Sequence, residues 1–480
     1  MTKRAKVMIA LATLLRLWLA ALPDPLWYDE AFSVAVARLP LAQMIAATAG
    51  DVHPPGYYIV LKAWMQAAPG MVPMATVARL LSFVLSLVAL GLFWHVLTAW
   101  ELPQRRKETA TVIAAWLPGL TFYAAEARSY TLLSVWILAA LLLASDTATW
   151  RLLGAGVCLG LAALTHNVGL IYAVLVAVWL IVRLRSCPLY ALACVGIVAA
   201  SAFITWLPWG ESFAAQQAAV GAGYWTHLPT LSTVAYAVLR ALVPIGALAP
   251  AWPRLEPVYV FLAGLTTWAV VQRRRVDFTL LALCMPVLLF VLSYVAGTGL
   301  VLYRVLIPAL YFVPLLWLPL LERRDVGQPL TVILAVVLVS VNAGYAIDGR
   351  HHQTFDYLAR IEPREGDIVY SIGSMAVPMA VYGPDLPMYA IPTTGPIGSD
   401  LSAATLAAMG VQQARLEEIE DWERAWVFWY DDMPAVSEQD LAYFETLPDH
   451  YQTRVIFDFD EDLHGQVVYS GGLWLLTSAR

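Results

Sequence analysis

Charge is what this sequence has least of. Asp, Glu, Lys and Arg together make up 13% of its 480 residues, while 60% are hydrophobic. A water-soluble chain carries about a quarter charged residues, so this one cannot be a water-facing globule. Cysteine is scarce too. Four residues (Cys158, Cys187, Cys194 and Cys284) exclude a disulfide-stapled scaffold, and their spacing is that of packing residues, not metal ligands. There is no Gly-rich phosphate loop, no nucleophile elbow and no internal repeat. No basic stripe interleaved with aromatics is present either, which argues against a nucleic-acid partner.

What the sequence does have is long apolar runs. A helix needs roughly 20 such residues to cross a bilayer. Eleven segments come near that: 7–22, 77–99, 109–122, 130–145, 151–165, 168–184, 188–207, 256–271, 277–296, 303–321 and 329–346. Arg16 interrupts the first, and no small-residue cleavage site follows it, so it reads as a span and not as a cleaved signal. The expected fold is an all-α polytopic membrane protein with a small C-terminal α/β domain.

The two parts differ in charge. Residues 1–347 hold 22 Lys and Arg against 13 Asp and Glu, whereas residues 348–480 hold 7 against 22. The basic residues fall in clusters: Lys3, Arg4 and Lys6; Arg105, Arg106 and Lys107; Arg151; Arg183 and Arg185; Arg273, Arg274 and Arg275; Arg323 and Arg324. All lie on one side of the membrane if the N-terminus is cytoplasmic. Eleven spans then put residues 348–480 outside a plasma membrane. The expected domains are 1–347, including a first outer loop at 23–76, and the acidic tail 348–480. In the first loop, 30–46 and 56–68 read as interfacial segments, and 208–255 reads as a second outer loop rich in Pro, Trp and Tyr. The tail reads as helices at 354–361, 402–419 and 437–446. Its strand-like runs are 367–372, 425–430, 453–459, 466–470 and 473–477.

Ionisable residues near membrane depth are costly and call for a function. That topology brings five groups to the outer surface: Trp27-Tyr28-Asp29-Glu30, Asp51-Val52-His53-Pro54-Pro55, Glu126-Ala127-Arg128-Ser129-Tyr130, Thr165-His166-Asn167, and Tyr303-Arg304. Carboxylates there could take a proton from an acceptor hydroxyl, and arginines could hold a phosphate leaving group through their planar fork. Plainer readings exist for each. Asp29 could cap the helix that follows, Glu30 could serve a helix dipole, and Asp51 could cap the 56–68 segment. Arg128 and Arg304 could snorkel to the interface, and Arg16 must face a cavity or a partner such as Glu126.

At these residues the sequence resembles the GT-C class of membrane glycosyltransferases, in the group around protein O-mannosyltransferases, lipid A aminoarabinose transferases and their bacterial relatives. The resemblance rests on Trp27-Tyr28-Asp29-Glu30 with Ser33, and on Asp51-Val52-His53-Pro54-Pro55-Gly56-Tyr57-Tyr58; it spans about residues 1–346 and is weak in the tail. It implies a GT-C-like fold and a polyprenyl-phosphate sugar donor. It also implies transfer to a protein, glycan or lipid acceptor at the outer face, and no cofactor or metal. Asp29 maps onto the family's general base with Glu30 beside it, and His53 onto the lipid-phosphate element, where some relatives have lysine. Asp51, Glu126, Arg128, Tyr130, His166, Arg304 and Arg16 are the expected substrate-binding residues. The competing expectation is a transporter or flippase of a lipid-linked or small polar solute. Such a protein places ionisable residues near the midplane in repeated halves, and Arg16 alone fits that picture.

Overall fold

The computed structural model describes residues 1–68, 73–222, 228–244, 256–271, 276–348, 361–372, 376–383, 385–392, 403–420, 422–430, 438–463 and 466–477. The chain divides into two compact units. One comprises Met1–Pro23, Ala63–Glu211 and Thr226–His352; the other comprises Asp24–Lys62, Ser212–Trp225 and Gln353–Arg480. Residues 24–62 of the first outer loop therefore share a unit with the acidic tail. The basic cluster 273–275 lies outside the described residues, as does the expected helix over 354–361 except for its last residue.

The first unit is a helical bundle, and each of the eleven expected apolar segments coincides with a helix or a broken pair of helices. Among the described residues, three helices are long and apolar enough to cross a membrane: Met74–Ala99, Pro188–Ala218 and Gly327–Ile347. A fourth crossing is obtained if Tyr303–Leu310 and Val313–Leu321, bent by 55°, are taken as one broken span. Shorter apolar helices include Tyr130–Ala144, Thr149–Thr165, Gly169–Arg183 and Leu231–Leu242. The unit is thus a multi-pass helical body, although length and composition alone license fewer crossings than eleven.

Proline accounts for the breaks. The segment expected at 109–122 folds as Gln104–Trp116 and Pro118–Tyr123, with Leu117 extended at φ −65°, ψ 121°. The residue before a proline is pushed out of the helical region, and the proline itself has no N–H to donate. The 303–321 segment opens as a 3-10 turn at Tyr303–Leu306. Pro308 and Pro314 then each occupy the first turn of a helix, where a missing N–H costs nothing.

The bundle packs through aromatics and close helix contacts. The Trp100 ring lies 5.5 Å from Trp179 and 6.0 Å from Phe312, and Phe93 lies 5.6 Å from Tyr311. Thr149–Thr165 approaches Pro188–Trp206 at Gly156 and Gly160. A Cβ at these positions would stand 2.4 Å from the Val198 carbonyl oxygen and 2.5 Å from Thr205 Cβ. Small residues four apart let two apolar helices meet at backbone distance where lipid supplies no hydrophobic drive.

The second unit is built on a six-stranded sheet in the order β3-β2-β1-β4-β6-β5. Its strands are β1 (Asp367–Ser371), β2 (Met388–Ala390), β3 (Val411–Gln413), β4 (Arg424–Tyr430), β5 (Gln452–Leu463) and β6 (Gln466–Thr477). The first four are parallel, and β6 pairs antiparallel with both β4 and β5. β1 is buried along its whole length, as a strand covered on both faces must be. Two expectations for the tail need correction. The runs 466–470 and 473–477 are one strand, because Gly471 and Gly472 keep their pairing with Tyr430 and Trp429. The expected helix 402–419 stops at Ala408; Gly410, at φ +85°, turns the chain into β3, and a 3-10 turn follows at Leu416–Glu418. A left-handed glycine is a common end of a helix.

The first-loop segments fold as helices, in this same unit as far as Lys62. The expected 30–46 stretch is two helices, Tyr28–Arg38 and Leu41–Ala49, broken at Pro40, and 56–68 is the helix Gly56–Ala67.

Candidate active site

The site residues of the second unit lie in the first turn of one helix and in the turn that precedes another. Asp29 and Glu30 occupy the first turn of Tyr28–Arg38, where the helix dipole favours negative charge. The N-cap is Trp27, with no side-chain cap, so Asp29 does not serve as the cap. Glu30 is fully buried at 0% exposure, while Asp29 is half-buried. Ser33 Oγ donates to the Asp29 carbonyl at 2.9 Å. Ahead of the helix, the N–H of buried Leu26 donates to the Tyr382 hydroxyl at 2.6 Å. The Tyr28 ring packs on the core formed by Val369, Met379, Trp426 and Phe428. Burial holds the Arg38 guanidinium below its usual range, with Tyr382 opposing the shift.

Asp51 and His53 are partners. His53 Nδ1 lies 2.9 Å from Asp51 Oδ2, with the two side chains 20% and 15% exposed. The next helix begins by its own backbone, the Ile59 N–H donating to the Pro55 carbonyl at 3.0 Å, so Asp51 is not its cap. That helix returns to the one carrying Asp29. The Tyr58 ring meets Phe32 edge-on at 6.0 Å, and Lys62 Nζ donates to the carbonyls of Leu39 at 2.7 Å and Ala37 at 3.3 Å. The helix that carries the Asp-Glu motif and the helix that follows the His-Pro-Pro motif are thereby packed together.

In the first unit, a second polar group gathers around Tyr123. Glu126, Arg128 and Ser129 sit buried in the short link between Pro118–Tyr123 and Tyr130–Ala144. Tyr123 lies within electrostatic reach of Tyr303, Glu126, Tyr130 and Arg304. Its ring meets Tyr130 at 5.2 Å, and Tyr130 in turn faces His166 at 5.9 Å. His166 ends the Thr149–Thr165 helix, and its Nδ1 accepts from the Val168 N–H at 3.3 Å. Glu126, Tyr130, His166 and Arg304 are therefore brought together, with Arg128 in the same buried link.

Arg16 has a different setting. Its Nη2 donates to the carbonyls of Ala115 at 2.8 Å and Ala114 at 3.1 Å, beside the break made by Pro118. Asn342 Nδ2 holds the next carbonyl, Trp116, at 2.8 Å. These side chains satisfy backbone oxygens that the broken helix leaves without their usual donors.

Sequence reasoning passed over Arg240. Arg240, on Leu231–Leu242, lies 4.3 Å over the Tyr303 ring and feels Tyr123 as well. The same rule that singled out Arg128 would have found it, since it is a lone charge on an apolar helix. It was overlooked because 208–255 reads as a loop. Tyr382 and Lys62 carried no sequence signal. Beside Arg240 and Arg304 in sequence opens an apolar crevice lined by Val238, Leu242, Thr266, Pro286, Leu306 and Val313. Among the described residues no group of three or more His, Cys, Asp or Glu could hold a metal ion.

No protein-family model matches the sequence, and no curated protein sequence does. Solved structures do match. ArnT from Cupriavidus metallidurans in the apo state superposes with a TM-score of 0.61 at 13% identity, covering 98% of this chain and 97% of that one. The same protein bound to undecaprenyl phosphate gives 0.59 at 13%, covering 99% and 98%. The oligosaccharyltransferase AglB from Archaeoglobus fulgidus, in complex with an inhibitory peptide and a dolichol-phosphate, gives 0.52 at 10%, covering 89% of this chain and 69% of that one. At such identities the likeness is one of architecture alone: the chain shares the fold of ArnT over nearly its whole length and that of AglB over most of its own length.

Proposed function

We propose that this protein transfers a sugar from a polyprenyl-phosphate donor to an acceptor hydroxyl at the outer face of the plasma membrane, with inversion at the anomeric carbon. The observation that carries the reading is the setting of Asp29. It is a half-buried carboxylate in the first turn of a helix, tied to the helix that follows the Asp51–His53 pair.

In the proposed reaction the acceptor oxygen attacks the anomeric carbon and gives its proton to Asp29. The carbon–oxygen bond to phosphate breaks, and the polyprenyl phosphate leaves with the bonding electrons. Arg128, Arg304 and Arg240 hold its growing charge, because a guanidinium stays ionised and offers a planar fork. Glu30 and Asp51 position the acceptor and the His53 ring. In the proposed orientation the N-terminus is cytoplasmic and residues 348–480 are extracytoplasmic.

The transporter alternative leaned on Arg16, and the Nη2 of that residue is engaged by the carbonyls of Ala114 and Ala115. Mass spectrometry of membrane lipids and glycans with and without the protein tests the transfer. One polyprenyl-phosphate sugar should accumulate in its absence while one glycoconjugate loses that sugar. Unaltered lipids and glycans would overturn the proposal.

A further inference from the structure

The helix bearing Asp29 and Glu30 starts without a side-chain N-cap. Trp27 stands at the N-cap position in extended geometry and gives no side-chain cap, and the residues just before it belong to no helix or strand. Leu26, three residues ahead of Asp29, is fully buried, and a buried N–H requires an acceptor. That acceptor comes from more than 350 residues away: the hydroxyl of Tyr382, at 2.6 Å. Tyr382 closes the helix Ala376–Tyr382, which comes between β1 and β2 and packs against Tyr28–Arg38. Tyr28 and Tyr382 both pack on the core beneath one face of the sheet, with Val369, Trp426 and Leu473. The far end of the Asp29 helix is fixed separately, by Lys62 on the carbonyls of Ala37 and Leu39.

We propose that the C-terminal α/β domain sets the position of the proposed catalytic base, and that Tyr382 is the positioning residue through which it does so. The inference rests on the transfer reading given above. Tyr382 is not assigned to the reacting atoms; its hydroxyl holds the backbone one turn before Asp29. The tail thereby gains a role that its lack of recognisable motifs conceals: the sheet is the rigid base on which the Asp29 helix is mounted. A side chain mounted on a packed element keeps its geometry better than one on a free loop. A misplacement of about 1 Å at a catalytic group can reduce turnover about a hundredfold, so loss of one anchor should be visible in turnover.

Tyr382→Phe removes the acceptor and keeps the ring. It is to be compared with Tyr443→Phe, which removes a hydroxyl in the same domain that accepts from the Leu416 N–H and donates to Glu417. Three quantities are read on the full-length protein in detergent. They are hydrogen exchange of peptides covering residues 24–30, binding of undecaprenyl phosphate, and turnover of a labelled polyprenyl-phosphate sugar. Tyr382→Phe should speed exchange at 24–30 and lower kcat about tenfold, with lipid-phosphate affinity unchanged. Tyr443→Phe should leave all three near wild type. Unchanged exchange in Tyr382→Phe would overturn the anchor. Faster exchange with wild-type kcat, or an equal kcat loss in Tyr443→Phe, would overturn the positioning role. A wild-type protein that transfers no sugar would instead overturn the transfer reading, with exchange alone left to decide the contact.

Discussion

Arg16 donates from Nη2 to the carbonyl oxygen of Ala115 at 2.8 Å, across 99 positions of sequence. The same Nη2 reaches the Ala114 carbonyl at 3.1 Å, which Pro118 leaves without its usual donor because it has no N–H and the helix breaks at Leu117. The break lets the chain leave the bundle's regular spacing just ahead of Glu126 and Arg128. Arg16→Ala should therefore lower stability by about 2 kcal/mol, the cost of buried carbonyls left unsatisfied. Thermal unfolding in detergent measures it, and affinity for undecaprenyl phosphate should be retained.

On the proposed reading, three arginines of the helical unit hold the leaving phosphate: Arg128, Arg304 and Arg240. Removal of any one should weaken binding of undecaprenyl phosphate about tenfold, equivalent to about 1.4 kcal/mol. Arg→Lys should restore little of this, because a point charge does not reproduce the fork. Equilibrium binding to purified variants checks both points. Wild-type affinity in all three Ala variants would make them interface anchors.

The C-terminal domain carries its own ion pair. Asp367, 1% exposed, accepts from Arg424 at 2.6 and 2.7 Å and from the Trp426 indole at 3.0 Å. Burial pushes its carboxyl upward, but the Arg424 and Trp426 hydrogen bonds outweigh burial and hold it below the usual range. A carboxyl depressed in the folded state stabilises the fold above its unfolded pKa of about 4, and that stability is lost as pH falls through the lower folded value. Unfolding scans of the full-length protein should show its stability falling below about pH 4. Asp367→Asn should flatten that dependence and be less stable at neutral pH.

Orientation is open to direct measurement. Reporter fusions after residues 106 and 186 should read inside, and one after residue 347 outside, as the one-sided basic clusters require. An inside signal at 347 would reverse the assignment.

The apolar helices were legible because hydrophobic burial at membrane depth leaves runs that composition alone reveals, and their ends came within a few residues. Asp29, Glu30, Asp51 and His53 were legible as local motifs. What joins them was not. The contacts of Lys62 with Leu39 and of Tyr382 with Leu26 use side chains that look like any others, on segments far apart in sequence. Arg240 was hidden because Leu231–Leu242 sits inside a stretch whose Pro, Trp and Tyr content reads as a loop. In the tail, β2 and β3 are three residues each, too short to show alternation.

The account turns on Asp29. Asp29→Asn keeps the side chain's size and hydrogen-bonding atoms but cannot accept the acceptor's proton, and general-base catalysis contributes about 10²–10⁴-fold. With a labelled polyprenyl-phosphate sugar, the purified Asp29→Asn protein should bind the donor as the wild type does and lose transfer by about that factor. An Asp29→Asn protein that transfers sugar at the wild-type rate would contradict the account.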